Sequence, residues 1–165
     1  MKELDPLQAL VDEHTEQLVQ AQFLESSAHS IRINGFSVEA FEQMLGAINY
    51  FDTEMLEHNR REEKYLCPLL ARHVEGPTDS LLHDHRELRI AIADLRSSVR
   101  EVEDGHLYAA SIRQLVRASQ TVVDEIRNHI EKENNVIFPL VRRCLTSKEY
   151  KQLKHDLAAE HQLHQ

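Results

Sequence analysis

Three metal-binding side chains recur in the chain in fixed register. His14, His58 and Glu62 are followed 71 positions later by His85, His129 and Glu133. The local contexts repeat with them. Glu13-His14-Thr15-Glu16 is matched by Asp84-His85-Arg86-Glu87, and Leu66-Cys67-Pro68-Leu69 by Ile137-Phe138-Pro139-Leu140. Such self-similarity points to two structural units of like design. In each His-x-x-x-Glu pair the residues stand four apart, which on a helix turns them by only about 40° and separates them by about 6 Å, so one pair can share a metal. Two pairs and two single histidines supply four imidazoles and two carboxylates, enough for two metals bridged by the glutamates. Structural zinc closes with four ligands and favours Cys. Mixed imidazole and carboxylate donors suit iron or manganese, and a binuclear centre leaves positions open for water, an oxo bridge or O2. The expected cofactor is a pair of non-haem Fe ions with oxo/hydroxo and carboxylate bridges; manganese, or zinc in one site, is compatible with the same donors.

These residues need helices to position them, and the composition supplies little else. The 165 residues include only four Gly, four Pro and no Trp, and are rich in Leu, Glu, Arg, Gln and Ala, which form helices readily. Turn signals divide the chain into helices over about 6–30, 37–73, 79–103 and 107–144, with breaks at Asn34-Gly35, at Glu75-Gly76-Pro77 and at Asp104-Gly105. Ser37 is a plausible N-cap of the second helix. Thr146-Ser147-Lys148-Glu149 has the form of a capping box and opens a short fifth helix over about 146–165. Short connections make neighbouring helices antiparallel. The expected fold is all-α, an up-down four-helix bundle over about 6–145 with a peripheral C-terminal helix, forming a single domain over 1–165.

Apolar spacing places the candidate ligands inside. The second helix gives Phe41, Met44, Ile48, Phe51, Met55, His58, Glu62, Tyr65 and Leu69; the fourth gives Ile112, Leu115, Ser119, Val122, Ile126, His129, Glu133, Val136 and Leu140. Leu7, Leu10, His14, Gln17, Ala21 and Leu24 follow the same pattern in the first, and His85, Leu88, Ile92, Leu95, Val99 and Val102 in the third. Alternating steps of three and four are the core seam of a bundle. Burying an unpaired carboxylate or imidazole costs several kcal/mol, so six such residues in the core require partners, and a bound cation is the economical one.

The pattern resembles the hemerythrin-like, or HHE cation-binding, domains. His14, then His58 and Glu62, then His85, then His129 and Glu133, on four successive helices with Pro68 and Pro139 shortly after each pair, are the residues that carry the resemblance, which covers nearly the whole chain. It implies an antiparallel four-helix bundle with a di-iron centre bridged by both glutamates. The oxygen carriers of that family have a second His four residues after the first on the third helix, and an Asp five after the histidine of the fourth. Arg89 and Asn134 stand there instead. The resemblance therefore implies redox-reactive or sensing roles in preference to reversible O2 transport.

Charge and composition exclude other classes. The net charge of −9 opposes binding to nucleic acid or an anionic membrane, both of which need a cationic face. The start lacks a signal-peptide core, and no run approaches the roughly 20 apolar residues of a membrane span. Cys67 and Cys144 have no metal-type spacing and fit packing roles in a reducing compartment. A cytoplasmic location is expected.

Further polar residues on or near the seam admit two roles each. Tyr65 is a core residue with a satisfied hydroxyl, or a donor or extra oxygen ligand in a cofactor pocket. Gln17 is a core amide or a hydrogen-bond partner of a bound ligand. Glu54 and Glu125 lie just off the seam as solvated residues or supports for a ligand histidine. His83 faces away from His85, and His29, His73, His106, His155, His161 and His164 share no face; all are expected at the surface. Pro68 and Pro139 should bend their helices beyond the site.

Three functions remain open. One is a sensor, scavenger or reservoir whose partner is a small ligand, O2, peroxide or nitric oxide. The second is iron donation in iron–sulfur centre repair, although proteins of that kind usually carry an N-terminal cysteine-bearing segment and no Cys precedes position 67. The third is an iron-dependent regulatory module, since metal binding couples to folding. No substrate motif decides whether the centre turns over, and no particular protein partner is indicated.

Overall fold

In a computed structural model the chain is described over residues 5–163, with side-chain surroundings through Glu160. His164 lies outside the described residues, as does the side chain of His161. Four antiparallel rods form the bundle, and no strand occurs among the described residues. The first rod is α1 (Pro6–Asn34). The second spans residues 38–70 and comprises α2 (Val38–Tyr50), a wide π turn (Phe51–Met55), α3 (Leu56–Arg61), a second π turn (Glu62–Leu66) and α4 (Cys67–Leu70). The third is α5 (Pro77–Glu103), and the fourth joins α6 (Ala109–Lys132), a π turn (Glu133–Ile137) and α7 (Phe138–Cys144). The last helix, α8 (Ser147–Leu163), lies against α1 and the Glu62–Leu66 turn. No helix among the described residues is long and apolar enough to cross a membrane.

Local chemistry sets the ends of these rods. Asp5 caps α1 by accepting the Leu7 amide at 3.0 Å, and Pro6 follows at the first helical position, where its missing N–H costs nothing. Gly35 ends α1 at φ +83°, a conformation that favours glycine, and its N–H bonds the Ile31 carbonyl at 3.1 Å. Ser37 caps the second rod by accepting the Ala40 amide at 3.2 Å. The capping box at α8 is reciprocal: Thr146 Oγ1 accepts the Glu149 amide at 3.3 Å, and Glu149 Oε2 accepts the Thr146 amide at 2.9 Å.

The seam follows its expected path as far as the two glutamates and then departs from it. The 3-4 spacing predicts Tyr65 and Val136 inside, but Val136 is 48% exposed and Tyr65 only half-buried. Leu66 and Ile137 are buried in their stead. The reason is the π turn that begins at each glutamate. The Cys67 amide reaches back five residues to the Glu62 carbonyl, and the Phe138 amide to that of Glu133. A wider turn spends one extra residue per revolution and moves the inward position on by one. Each of these turns directly precedes the helix that carries Pro68 or Pro139.

The apolar core consists of two clusters. One holds Ala21, Met44, Met55, Leu88, Leu95 and Ile126 among others, and the second holds Leu7, Leu10, Leu66, Leu81, Ile137 and Phe138. By register, the candidate ligands sit between them. His14 separates Leu10 from Ala21 on α1, and His129 and Glu133 separate Ile126 from Ile137 on the fourth rod. The polar layer is sealed along the bundle axis by hydrocarbon on both sides.

Candidate metal centre

All six residues of the repeat converge in that layer, each nearly or wholly inaccessible to solvent. Their inward atoms fall into two groups that share both glutamates: His14, His58, Glu62 and Glu133, and Glu62, His85, His129 and Glu133, with the donor atoms of each group within 4.8 Å of one another. Glu62 turns Oε1 to His58 Nε2 at 3.3 Å and Oε2 to His85 Nε2 at 3.5 Å. Glu133 turns Oε2 to His14 Nε2 at 2.8 Å and Oε1 to His129 Nε2 at 3.2 Å and His85 Nε2 at 3.8 Å. Each carboxylate thus spans both groups, and each group offers two imidazole nitrogens and two carboxylate oxygens.

This donor set fits a pair of cations. All four oxygens of Glu62 and Glu133 are buried without a hydrogen-bond partner, as are Nε2 of His85 and of His129. His14 Nε2 and His58 Nε2 approach to 3.1 Å across their group. Two buried anions surrounded by four nitrogens are costly unless positive charge lies among them. Protonation follows the same demand. Burial opposes charge on His58, but the Glu62 carboxylate and Glu13 outweigh it and leave the imidazole pushed up to about 10. His85, also opposed by burial, is raised by Glu133 and Glu62 to about 9. Burial favours a neutral Glu62, yet the positive charge of the adjacent His58 holds its carboxyl well below the usual range.

Behind the six lies a ring of supports that also obeys the 71-residue register. Glu13 Oε2 accepts from His58 Nδ1 at 2.5 Å and is held by Arg61 at 2.6 Å. Its counterpart Asp84 points toward His129 Nδ1 but stays 4.0 Å away, too far for a hydrogen bond, with Lys132 Nζ at 2.5 Å on the same oxygen. Glu63 Oε1 accepts from His85 Nδ1 at 2.8 Å and from Arg89 at 3.0 Å. Its counterpart Asn134 places Oδ1 2.9 Å from His14 Nδ1. Bonds of this kind fix the tautomer and orientation of a ligating imidazole. Glu13, Asp84 and Glu63 each adjoin a repeat residue, the one signal in the sequence that marks them. Arg89 bonds Glu63 behind His85 and Asn134 bonds His14, and neither stands among the inward donors. Phe138 stacks on the His14 ring with centroids 5.4 Å apart.

The other candidates are placed elsewhere. Tyr65 gives its hydroxyl to Glu160 Oε1 of α8 at 2.6 Å, where Lys64 joins it at 2.8 Å and Arg60 also contacts Glu160. The wide turn carries Tyr65 off the seam. Gln17 remains on the seam, 1% exposed, and neither of its amide atoms has a partner. Glu54 is exposed and Glu125 half-buried. His83, His29 and His155 are exposed; His73 pairs with Glu149 at 2.7 Å and His106 with Glu101 at 2.8 Å. Cys67 is a buried free thiol, pushed up to about 12 by burial and the nearby glutamates.

Comparison with known proteins agrees with this geometry. The chain is 25% identical over 103 residues to an iron–sulfur cluster repair protein, DnrN, of Neisseria gonorrhoeae. That match covers 60% of this chain and 66% of the relative, just under two thirds of its length. A family model described as the hemerythrin HHE cation binding domain matches residues 5–141, nearly the whole chain and every one of the six converging residues. The chain belongs to the hemerythrin HHE cation-binding domain family.

Proposed function

We propose that the chain holds a non-haem di-iron centre that binds or reacts with O2, peroxide or nitric oxide, as a sensor, scavenger or reservoir. The observation that carries this reading is the sorting of four imidazole nitrogens and four unpartnered carboxylate oxygens into two sets that share both glutamates. Bound iron would supply redox chemistry and open coordination positions for such ligands. His14, His58, His85 and His129 would be terminal ligands, with Glu62 and Glu133 joining the two sets. Glu13, Glu63 and Asn134 hold three of the imidazoles with Nε2 inward. The apolar clusters on either side keep bulk water from the layer and admit a small uncharged molecule more readily than a charged one. The engagement of Arg89 and Asn134 behind histidines supports reactive or sensing roles over reversible O2 carriage.

Purified protein loaded with ferrous iron under anaerobic conditions should develop new visible absorption on exposure to O2 or nitric oxide. An unchanged spectrum with iron bound would sink this reading. Manganese or zinc in place of iron would appear in elemental analysis of freshly purified protein. Two cysteines not joined to each other support a cytoplasmic location.

A second reading is iron donation to damaged iron–sulfur centres, favoured by the similarity to the Neisseria iron–sulfur cluster repair protein. Transfer of iron from the loaded protein to an apo iron–sulfur acceptor distinguishes it from the first.

A further inference from the structure

We propose that Gln17 is the hydrogen-bond partner of the small ligand, on the His14 and His58 side of the centre; this rests on the functional reading above. Gln17 lies three residues beyond His14 on α1, about 4.5 Å further along the axis. Both of its amide atoms are buried and neither has a partner. A buried amide left unpaired is a persistent penalty that an apolar side chain of similar size would avoid.

The fold does not need an amide at this position. In the 71-residue register Gln17 corresponds to Leu88, which is fully buried in the apolar cluster beside the centre. The residues at the same level on the other two rods, Met55 and Ile126, belong to that cluster as well. Gln17 is therefore a lone polar group in a layer where its own counterpart is leucine. Its N–H donors and carbonyl acceptor suit a small ligand with a terminal oxygen, and the ordinary core supplies nothing for them.

A second departure from twofold symmetry falls at the same level. The second rod makes a π turn over Phe51–Met55 that ends three residues before His58, whereas the fourth rod runs as regular helix through 122–126. Turns of this kind recur at functional sites. Both departures flank the His14 and His58 group, and the His85 and His129 group has neither.

The test uses full-length protein loaded with ferrous iron, with nitric oxide as probe, and compares the wild type with Gln17→Leu and Gln17→Asn. Both variants should keep the iron content of the wild type, since Gln17 is not a ligand. Nitric oxide should leave each variant roughly tenfold faster, the effect of losing one hydrogen bond, and the N–O stretching frequency should shift. Metal-free Gln17→Leu should unfold at the wild-type temperature or above, because it restores the residue of the repeat. Wild-type release rate and stretching frequency in both variants would overturn the role of Gln17 while leaving the functional reading intact. Lowered stability in Gln17→Leu with unchanged nitric oxide behaviour would mark a core amide bonded to buried water and would also overturn it. Failure of iron-loaded wild type to take up nitric oxide or O2 would remove the functional reading and this inference together.

Discussion

Glu13 Oε2 lies 2.5 Å from His58 Nδ1, so the residue beside one histidine of the pocket orients another on the next rod. Removing it, as Glu13→Ala, should free the His58 ring to turn while leaving all six inward donors in place. Loss of such a support typically weakens metal binding about 10- to 100-fold. Competition with a chelator of known affinity measures this, and an unchanged iron affinity would refute the assignment.

Terminal and shared donors should differ in what their loss removes. His58→Ala or His129→Ala takes one nitrogen from one group and should leave at most one iron per chain. Glu62→Ala or Glu133→Ala takes an oxygen from both groups and should deplete both irons. Elemental analysis per chain decides, and two irons retained in either histidine variant would contradict the geometry.

Stripping metal should destabilise the bundle, because four carboxylate oxygens are then buried unpaired. With free metal at about a thousand times its dissociation constant, binding contributes about 4 kcal/mol. In a chain of this size each kcal/mol moves the midpoint by about 2–4 °C, so metal removal should lower Tm by roughly 8–16 °C in calorimetry. Equal midpoints for stripped and reloaded protein would argue against coupling of metal to folding.

The wide turns predict a contrast between adjacent residues. Ile137 is 1% exposed and Val136 48% exposed. Ile137→Ala should cost about 2–5 kcal/mol in chemical denaturation, and Val136→Ala should stay within about 0.5 kcal/mol. The reverse order would restore the uninterrupted 3-4 seam.

Release of α8 by acid should depend on Glu160. Hydrogen bonds from Lys64 and Tyr65, with Arg60 beside them, hold its carboxyl down at about 2, against about 4.3 in an unfolded chain. Because the folded value is depressed, the clasp contributes fully above about pH 4.3 and is lost as pH falls through about 2. Hydrogen exchange of the α8 amides should therefore accelerate across that window in the wild type. In Glu160→Gln the exchange should be faster already at neutral pH and should lack this step.

The rods, their caps and the six donors were legible in the string of residues. Ser37 caps the second rod, Thr146 and Glu149 form their reciprocal box, and the inward series holds from Leu7 through Gln17 and from Phe41 through Glu62. These depend on spacing within one helix, where rise and rotation per residue are nearly constant, and on the second rod the series keeps its inward register through the turn at Phe51–Met55. The position of Tyr65 was not legible, because the regular period on which the expectation rests fails in the π turn that begins at Glu62. The supports were half-legible: Glu13, Asp84, Glu63 and Asn134 stand in register, yet nothing in the order of residues tells which imidazole each one meets. Asn134 supports a histidine 120 positions away, and Asp84 stops 4.0 Å short of His129 while Glu13 reaches His58. Those outcomes are set by the lateral packing and axial rotation of whole rods, which place side chains to within a hydrogen-bond length only after the bundle has closed.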